Sequence, residues 1–285
     1  MKLFYIPQMK YLADELDVEH GKCLFKRFSD GELYVRLEED VHDQDVWVLV
    51  ATQPPTSHFF EVFFLLDALQ RAGARVSLLL TYLGYERQDR ANKGEALSAE
   101  VVANCFKQFA LRRTVIIHAH SERLHDFLVF TNVMPIALMA QAAQDYDAEV
   151  IVAPDDGARD MAAAVAEQAG LPCAYVSKMR PDHETVEIMK IQGLVVGKRA
   201  FIVDDVISTG RTILKASEYV HKAEAKSVTV MATHGCFSDE TRIKIQSVDF
   251  IKALIVTNSL PCAYDGKVTI VSIAPLIMDI METSD

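Results

Sequence analysis

Residues 201–212, Phe-Ile-Val-Asp-Asp-Val-Ile-Ser-Thr-Gly-Arg-Thr, constrain the fold of this chain more than any other stretch. A run of bulky apolar residues reads as a buried strand with two carboxylates at its carboxyl end. A tight polar turn follows, and then a helix that runs to about Lys222. A strand feeding a helix in this way belongs to a parallel α/β sheet, whose ligands bind beyond the carboxyl ends of the strands. Unpaired amides and the positive dipole end at the helix start favour an anion there, and Gly210 lets the backbone approach it closely. Ser208, Thr209 and Thr212 add hydroxyl donors around Arg211, while Asp204 and Asp205 can accept hydrogen bonds from sugar hydroxyls beside the anion. The turn lacks the Gly-Lys-Ser/Thr of a nucleotide P-loop. A surface turn with an incidental helix cap is the plain alternative.

The same rhythm of short apolar runs and helix-length amphipathic stretches continues elsewhere. Val46 to Ala51, Phe59 to Arg71 and Val76 to Tyr82 form one such series, and Thr114 to Ile117, Val150 to Ala153 and Val228 to Ala232 extend the pattern. Mainly parallel sheets flanked by helices are expected. Arg71-Ala72-Gly73-Ala74-Arg75 can be laid on Lys222-Ala223-Glu224-Ala225-Lys226, each segment following a strand, turn and helix. This is either chance likeness or a duplication that gives two similar α/β domains, 1–140 and 141–285. The first of the two corresponding turns, Thr52-Gln53-Pro54-Pro55-Thr56, has neither acid nor glycine, so only the second is suited to a phosphorylated sugar.

Acidic residues outnumber basic ones, 40 to 29, and the formal charge of -11 argues against a broad nucleic-acid or anionic-membrane surface. The five cysteines are scattered without metal or disulfide spacing, which suits a reducing cytoplasm. Gln8, Lys10 and Asp14 interrupt the N-terminus before a signal or spanning segment can develop.

The acid pair and the Thr-Gly-x-Thr turn resemble the ribose 5-phosphate loop of the phosphoribosyltransferase fold. With five further segments the chain is similar, from Phe28 to Pro275, to the ribose-phosphate pyrophosphokinase family. Arg27-Phe28-Ser29-Asp30-Gly31-Glu32 resembles that family's adenine-binding hairpin, which is supplied across a dimer interface. The resemblance implies that Phe28 stacks on the base, that Asp30 and Glu32 accept from its amino group or the ribose, and that the protein is at least a homodimer. Tyr85-Glu86-Arg87-Gln88-Asp89-Arg90 resembles the ATP-contacting loop carrying Arg87, Gln88 and Asp89, with Glu86 where the family usually has Ala. In Ile117-His118-Ala119-His120, His120 matches the magnesium-coordinating His, and His118 stands where many members carry Asp.

Pro154-Asp155-Asp156-Gly157-Ala158-Arg159 resembles the pyrophosphate loop, with Asp155 as the metal-side carboxylate. A helix cap by Asp155 or Asp156 explains the same residues. Ser177-Lys178-Met179-Arg180 resembles the catalytic loop, in which Lys178 and Arg180 neutralise charge on the transferred group, although Met179 replaces a frequent Arg. Thr257 to Pro261 with Val268 to Pro275 resembles the closing strand and helix, which returns to the first domain. The implied reaction is Mg²⁺-dependent transfer of pyrophosphate from ATP to ribose 5-phosphate. Two rivals stay open at this point. One is a phosphoribosyltransferase, which Arg211 suits, and the other is a non-catalytic nucleotide-binding homologue.

Overall fold

A computed structural model describes residues 2–179, 188–261 and 266–283. The chain divides into two compact units, residues 1–134 with 259–261 and 274–285, and residues 135–258 with 262–273.

The first unit opens with β1 (Lys2–Tyr5), α1 (Lys10–Ala13) and β2 (Glu19–His20), followed by an antiparallel hairpin of β3 (Cys23–Arg27) and β4 (Leu33–Leu37). Next come β5 (Asp45–Ala51), α2 (Ser57–Arg71), β6 (Arg75–Tyr82), α3 (Ser98–Phe106), β7 (Arg113–Ile117) and β8 (Thr131–Val133). Six strands form one parallel sheet in the order β2-β1-β5-β6-β7-β8.

The second unit contains α4 (Ile136–Asp145), β9 (Val150–Ala153), α5 (Arg159–Ala169), β10 (Cys173–Met179), β11 (Ile188–Gln192) and β12 (Arg199–Ile207). It continues through α6 (Arg211–Lys222), β13 (Ser227–Gly235), α7 (Asp239–Gln246), β14 (Ile251–Thr257) and β15 (Val268–Val271). Its sheet runs β11-β10-β9-β12-β13-β14-β15, parallel except for the edge strand β11. The last helix, α8 (Ala274–Glu282), belongs to the first unit, where Arg113 Nη1 donates to Ile280 O at 3.4 Å.

The apolar runs are continuous because both faces of these sheets are covered by helices. Phe201, Ile202 and Val203 are fully buried on β12, as are Val48, Leu49 and Val50 on β5. Each such side chain contributes about 1.5–3 kcal/mol of apolar burial.

The two sheets share a winding pattern. In each, the first strand (β1 or β9) is flanked on one side by the next strand and on the other by the strand that starts the series β5-β6-β7-β8 or β12-β13-β14-β15. The paired segments noted in the sequence occupy the same place in that pattern. Ala72 and Ala223 close helices α2 and α6, and the residue after each, Gly73 at φ 81 and Glu224 at φ 62, takes the left-handed conformation that ends a helix.

Candidate active site

Strand order reverses in the second unit between β9 and β12, and a crevice for ligands opens beyond the carboxyl ends of strands at such a point. The two turns that bound it are 154–158 and 208–210, the two segments singled out by their acids.

In the first of these turns the Asp155 carboxylate accepts from the Gly157 amide at 3.0 Å and, more loosely, from the Ala158 amide at 3.3 Å. One Asp155 oxygen therefore shapes the turn. Asp156 instead pairs with Arg159, three residues on, at 2.9 Å, and the Arg159 guanidinium lies 5.3 Å from the Tyr175 ring centre.

In the second turn Asp204 and Asp205 sit side by side at the end of β12, half-buried, and Asp205 N–H donates to Asp204 Oδ1 at 3.0 Å. Burial pushes the Asp204 carboxyl well above the usual carboxylate range, and the charges of Asp205 and Asp155 push it further. The structure thus brings together acids from two segments nearly fifty residues apart in sequence. Such a cluster is under electrostatic strain that sugar hydroxyls or a cation would relieve.

Gly210 caps α6 at φ 69, and among the described residues no side-chain cap bond to the helix start is made. A side chain at Gly210 would crowd Thr241 Cγ2 at 3.0 Å and Ile245 Cδ1 at 3.2 Å, so α7 presses against this turn. Thr209, Arg211 and Thr212 are exposed and Ser208 is half-buried, leaving their polar groups accessible.

At the corresponding point of the first unit, beyond the ends of β1 and β5, two glutamines are hydrogen-bonded together. Gln8 Nε2 donates to Ala51 O at 2.6 Å and Gln53 Nε2 donates to Gln8 Oε1 at 3.3 Å. An amide pair thus stands where the second unit has acids and a glycine.

Elsewhere in the first unit, Phe28 lies at the tip of the β3–β4 hairpin, 46 % exposed, with Tyr34 edge-on at 5.8 Å between ring centres. Glu32 N–H donates to Asp30 Oδ1 at 3.0 Å, so Asp30 shapes the tip. Arg27 Nη2 reaches Glu61 Oε1 at 2.9 Å and ties the hairpin to α2. Arg87 and Gln88 are exposed beyond β6 and Asp89 is half-buried. Ser98 Oγ donates to Gln88 Oε1 at 2.6 Å. His120 is exposed beyond β7, while His118, at φ 52, is buried.

Lys178 lies near the end of β10, paired across the ladder with Met189, and Arg180 lies outside the described residues. Among the described residues, no cluster of three or more His, Cys, Asp or Glu side chains is arranged to hold a metal on its own. No described helix is long and apolar enough to cross a membrane.

Sequence reasoning did not single out Glu61 or Ser98, which hold Arg27 and Gln88 in place. Their roles arise from contacts between distant segments, and no local pattern marks them.

Residues 3–109 match the model of the N-terminal domain of ribose phosphate pyrophosphokinase, and residues 134–258 match the phosphoribosyl transferase domain. A ribose-phosphate pyrophosphokinase of Bacillus caldolyticus is 34% identical over 280 residues, covering 95% of this chain and 89% of the relative. One from Ralstonia nicotianae is also 34% identical over 280 residues, covering 94% and 88%. The crystal structure of phosphoribosylpyrophosphate synthetase from Mycobacterium smegmatis superposes with a TM-score of 0.87 at 31% identity, covering 99% of this chain and 97% of that one.

Proposed function

This chain belongs to the ribose-phosphate pyrophosphokinase family, and from that premise we propose that it joins the C1 hydroxyl of ribose 5-phosphate to the β-phosphorus of ATP, releasing AMP. The bond from the sugar oxygen to the β-phosphorus forms as the bond from that phosphorus to the α-bridging oxygen breaks. AMP departs with that bridging oxygen, the hydroxyl proton passes to solvent, and phosphoribosyl pyrophosphate remains.

The observation that carries the reading is the β12–α6 turn. Helix-start amides, Ser208, Thr209 and Thr212 suit the 5-phosphate, and Asp204 and Asp205 suit the ribose diol. Asp155 supports the reading by adding its charge to that acid pair from the adjoining turn, where Asp156, Gly157 and Ala158 would face the pyrophosphate. On the ATP side, Phe28 would stack on adenine with Asp30 and Glu32 at the base or ribose, and Arg87, Gln88 and Asp89 would contact the nucleotide. Lys178 and Arg180 would hold positive charge against the transferred group, which in phosphoryl transfer is most of the catalytic work.

When bound, Mg²⁺ would neutralise charge on the phosphate oxygens, with His120 and Asp155 as the protein groups that hold it. The hairpin role implies a homodimer or a larger assembly, and we place the enzyme in the cytoplasm. The test is release of AMP from ATP in a coupled assay. It should depend on added ribose 5-phosphate. AMP release without the sugar, or no release with both substrates present, refutes the proposal.

A further inference from the structure

We propose that Glu86 is a positioning residue that sets the backbone of His120 against the loop carrying Arg87 and Gln88. The inference rests on reading those three residues as the magnesium–ATP side of the site.

Three successive amides beyond β7 are each tied to a different group. His118 N–H donates to Val133 O at 3.0 Å, Ala119 N–H to Asn132 Oδ1 at 3.0 Å, and His120 N–H to Glu86 Oε2 at 3.1 Å. The first two anchors come from β8, the strand next to β7. The third comes from another loop, 34 residues earlier in the chain.

Glu86 is only 3 % exposed, although its neighbours Arg87 and Gln88 point to solvent. A carboxyl removed that far from water is tolerated only where hydrogen bonds replace its hydration. Here one of those bonds fixes the main chain of a residue assigned to the metal. Both loops also hold a non-glycine residue in the left-handed region, Tyr85 at φ 68 and His118 at φ 52, conformations that persist where the surroundings determine them.

At its other side the Glu86 loop is pinned to the start of α3. Ser98 Oγ donates to Gln88 Oε1 at 2.6 Å, and Ala99 N–H donates to Gln88 O at 3.2 Å. Glu86 therefore works as a strut between two loops, one presenting Arg87 and Gln88 and the other presenting His120.

The experiment compares Glu86→Ala, which removes the acceptor, with Glu86→Gln, which keeps an acceptor oxygen of the same length. Calorimetry would measure affinity for the magnesium complex of a non-hydrolysable ATP analogue, and hydrogen exchange would report the 118–120 amides. Glu86→Ala, which removes the acceptor of the His120 amide, is expected to bind the analogue about tenfold more weakly. It should also exchange the His120 amide faster and raise the KM for ATP without changing the KM for ribose 5-phosphate. Glu86→Gln should restore all three.

Unchanged affinity and exchange in Glu86→Ala would overturn the inference. So would a rise of both KM values together with a lower melting temperature, or failure of the folded Gln variant to restore binding. His120→Ala separates the two levels of the argument. If it binds the magnesium complex as the wild type does, the assignment of His120 fails, whereas weak binding there with normal binding in Glu86→Ala sinks the strut alone.

Discussion

Asparagine in place of Asp204 changes one charge in the acid cluster and leaves its shape intact. Burial, then the charges of Asp205 and Asp155, hold the Asp204 carboxyl well above the usual carboxylate range. A carboxyl that binds its proton more tightly when folded weakens the fold as pH rises. The loss begins near the unfolded pKa of about 3.9 and is complete once pH exceeds the raised folded value. Below that window both states are protonated and no penalty exists. Every tenfold increase in proton affinity corresponds to about 1.4 kcal/mol. The amide removes this penalty and keeps an oxygen to accept the Asp205 amide, now at 3.0 Å. Ligand-free Asp204→Asn should then be more stable than the parent at pH 7. That gain raises the melting temperature by about 2–4 °C per kcal/mol, and it should shrink toward pH 4. Turnover should fall about 10²-fold or more, because the diol loses a charged acceptor. Melting curves of both proteins at the two pH values, without ligand, provide the assay. A variant less stable than the parent at pH 7, or equally stabilised at both pH values, would refute the electrostatic account of this cluster.

Lys178→Ala should stay folded, with an unchanged melting temperature, and lose about 10²-fold or more in turnover; wild-type turnover would remove Lys178 from the catalytic group. Gly210→Ala should cost about 1–3 kcal/mol through its positive φ and its contact with α7, and should weaken ribose 5-phosphate binding more than ATP binding in calorimetry. Phe201→Ala, at a fully buried site, should destabilise by about 3–5 kcal/mol in denaturant melts, with the binding constants of the residual folded protein unaltered. Arg27→Ala should raise the KM for ATP and leave that for ribose 5-phosphate alone, because it releases the hairpin from Glu61.

Much of this architecture is readable in the residues because buried parallel strands write themselves as uninterrupted apolar runs. Val46 to Ala51, Val76 to Tyr82 and Ala200 to Val203 all lie in strands of the parallel sheets. The geometry of the proposed phosphate turn is legible for a related reason: strand, acids, glycine and helix are contiguous, so one window of sequence holds all four. Strand order is different. Nothing in Val150 to Ala153 says that β9 lies beside β12, and without that neighbour relation the effect of Asp155 on Asp204 cannot be foreseen. The same limit hid the Glu86 contact with His120 and the Arg27 contact with Glu61, each joining segments 34 residues apart. The passage between the two units is equally silent. Met134 and Pro135 fall on opposite sides of the division with no glycine-rich or polar linker, and α8 returns to the first unit after the second is complete. Only a resemblance to a known family suggested that return, and periodicity had no part in it.

The proposed function depends most on the β12–α6 turn holding ribose 5-phosphate. Crystals soaked with ribose 5-phosphate should show the phosphate on the main-chain amides of 208–212 and the diol on Asp204 and Asp205. A phosphate bound elsewhere, with this turn empty at saturating ligand, would contradict it.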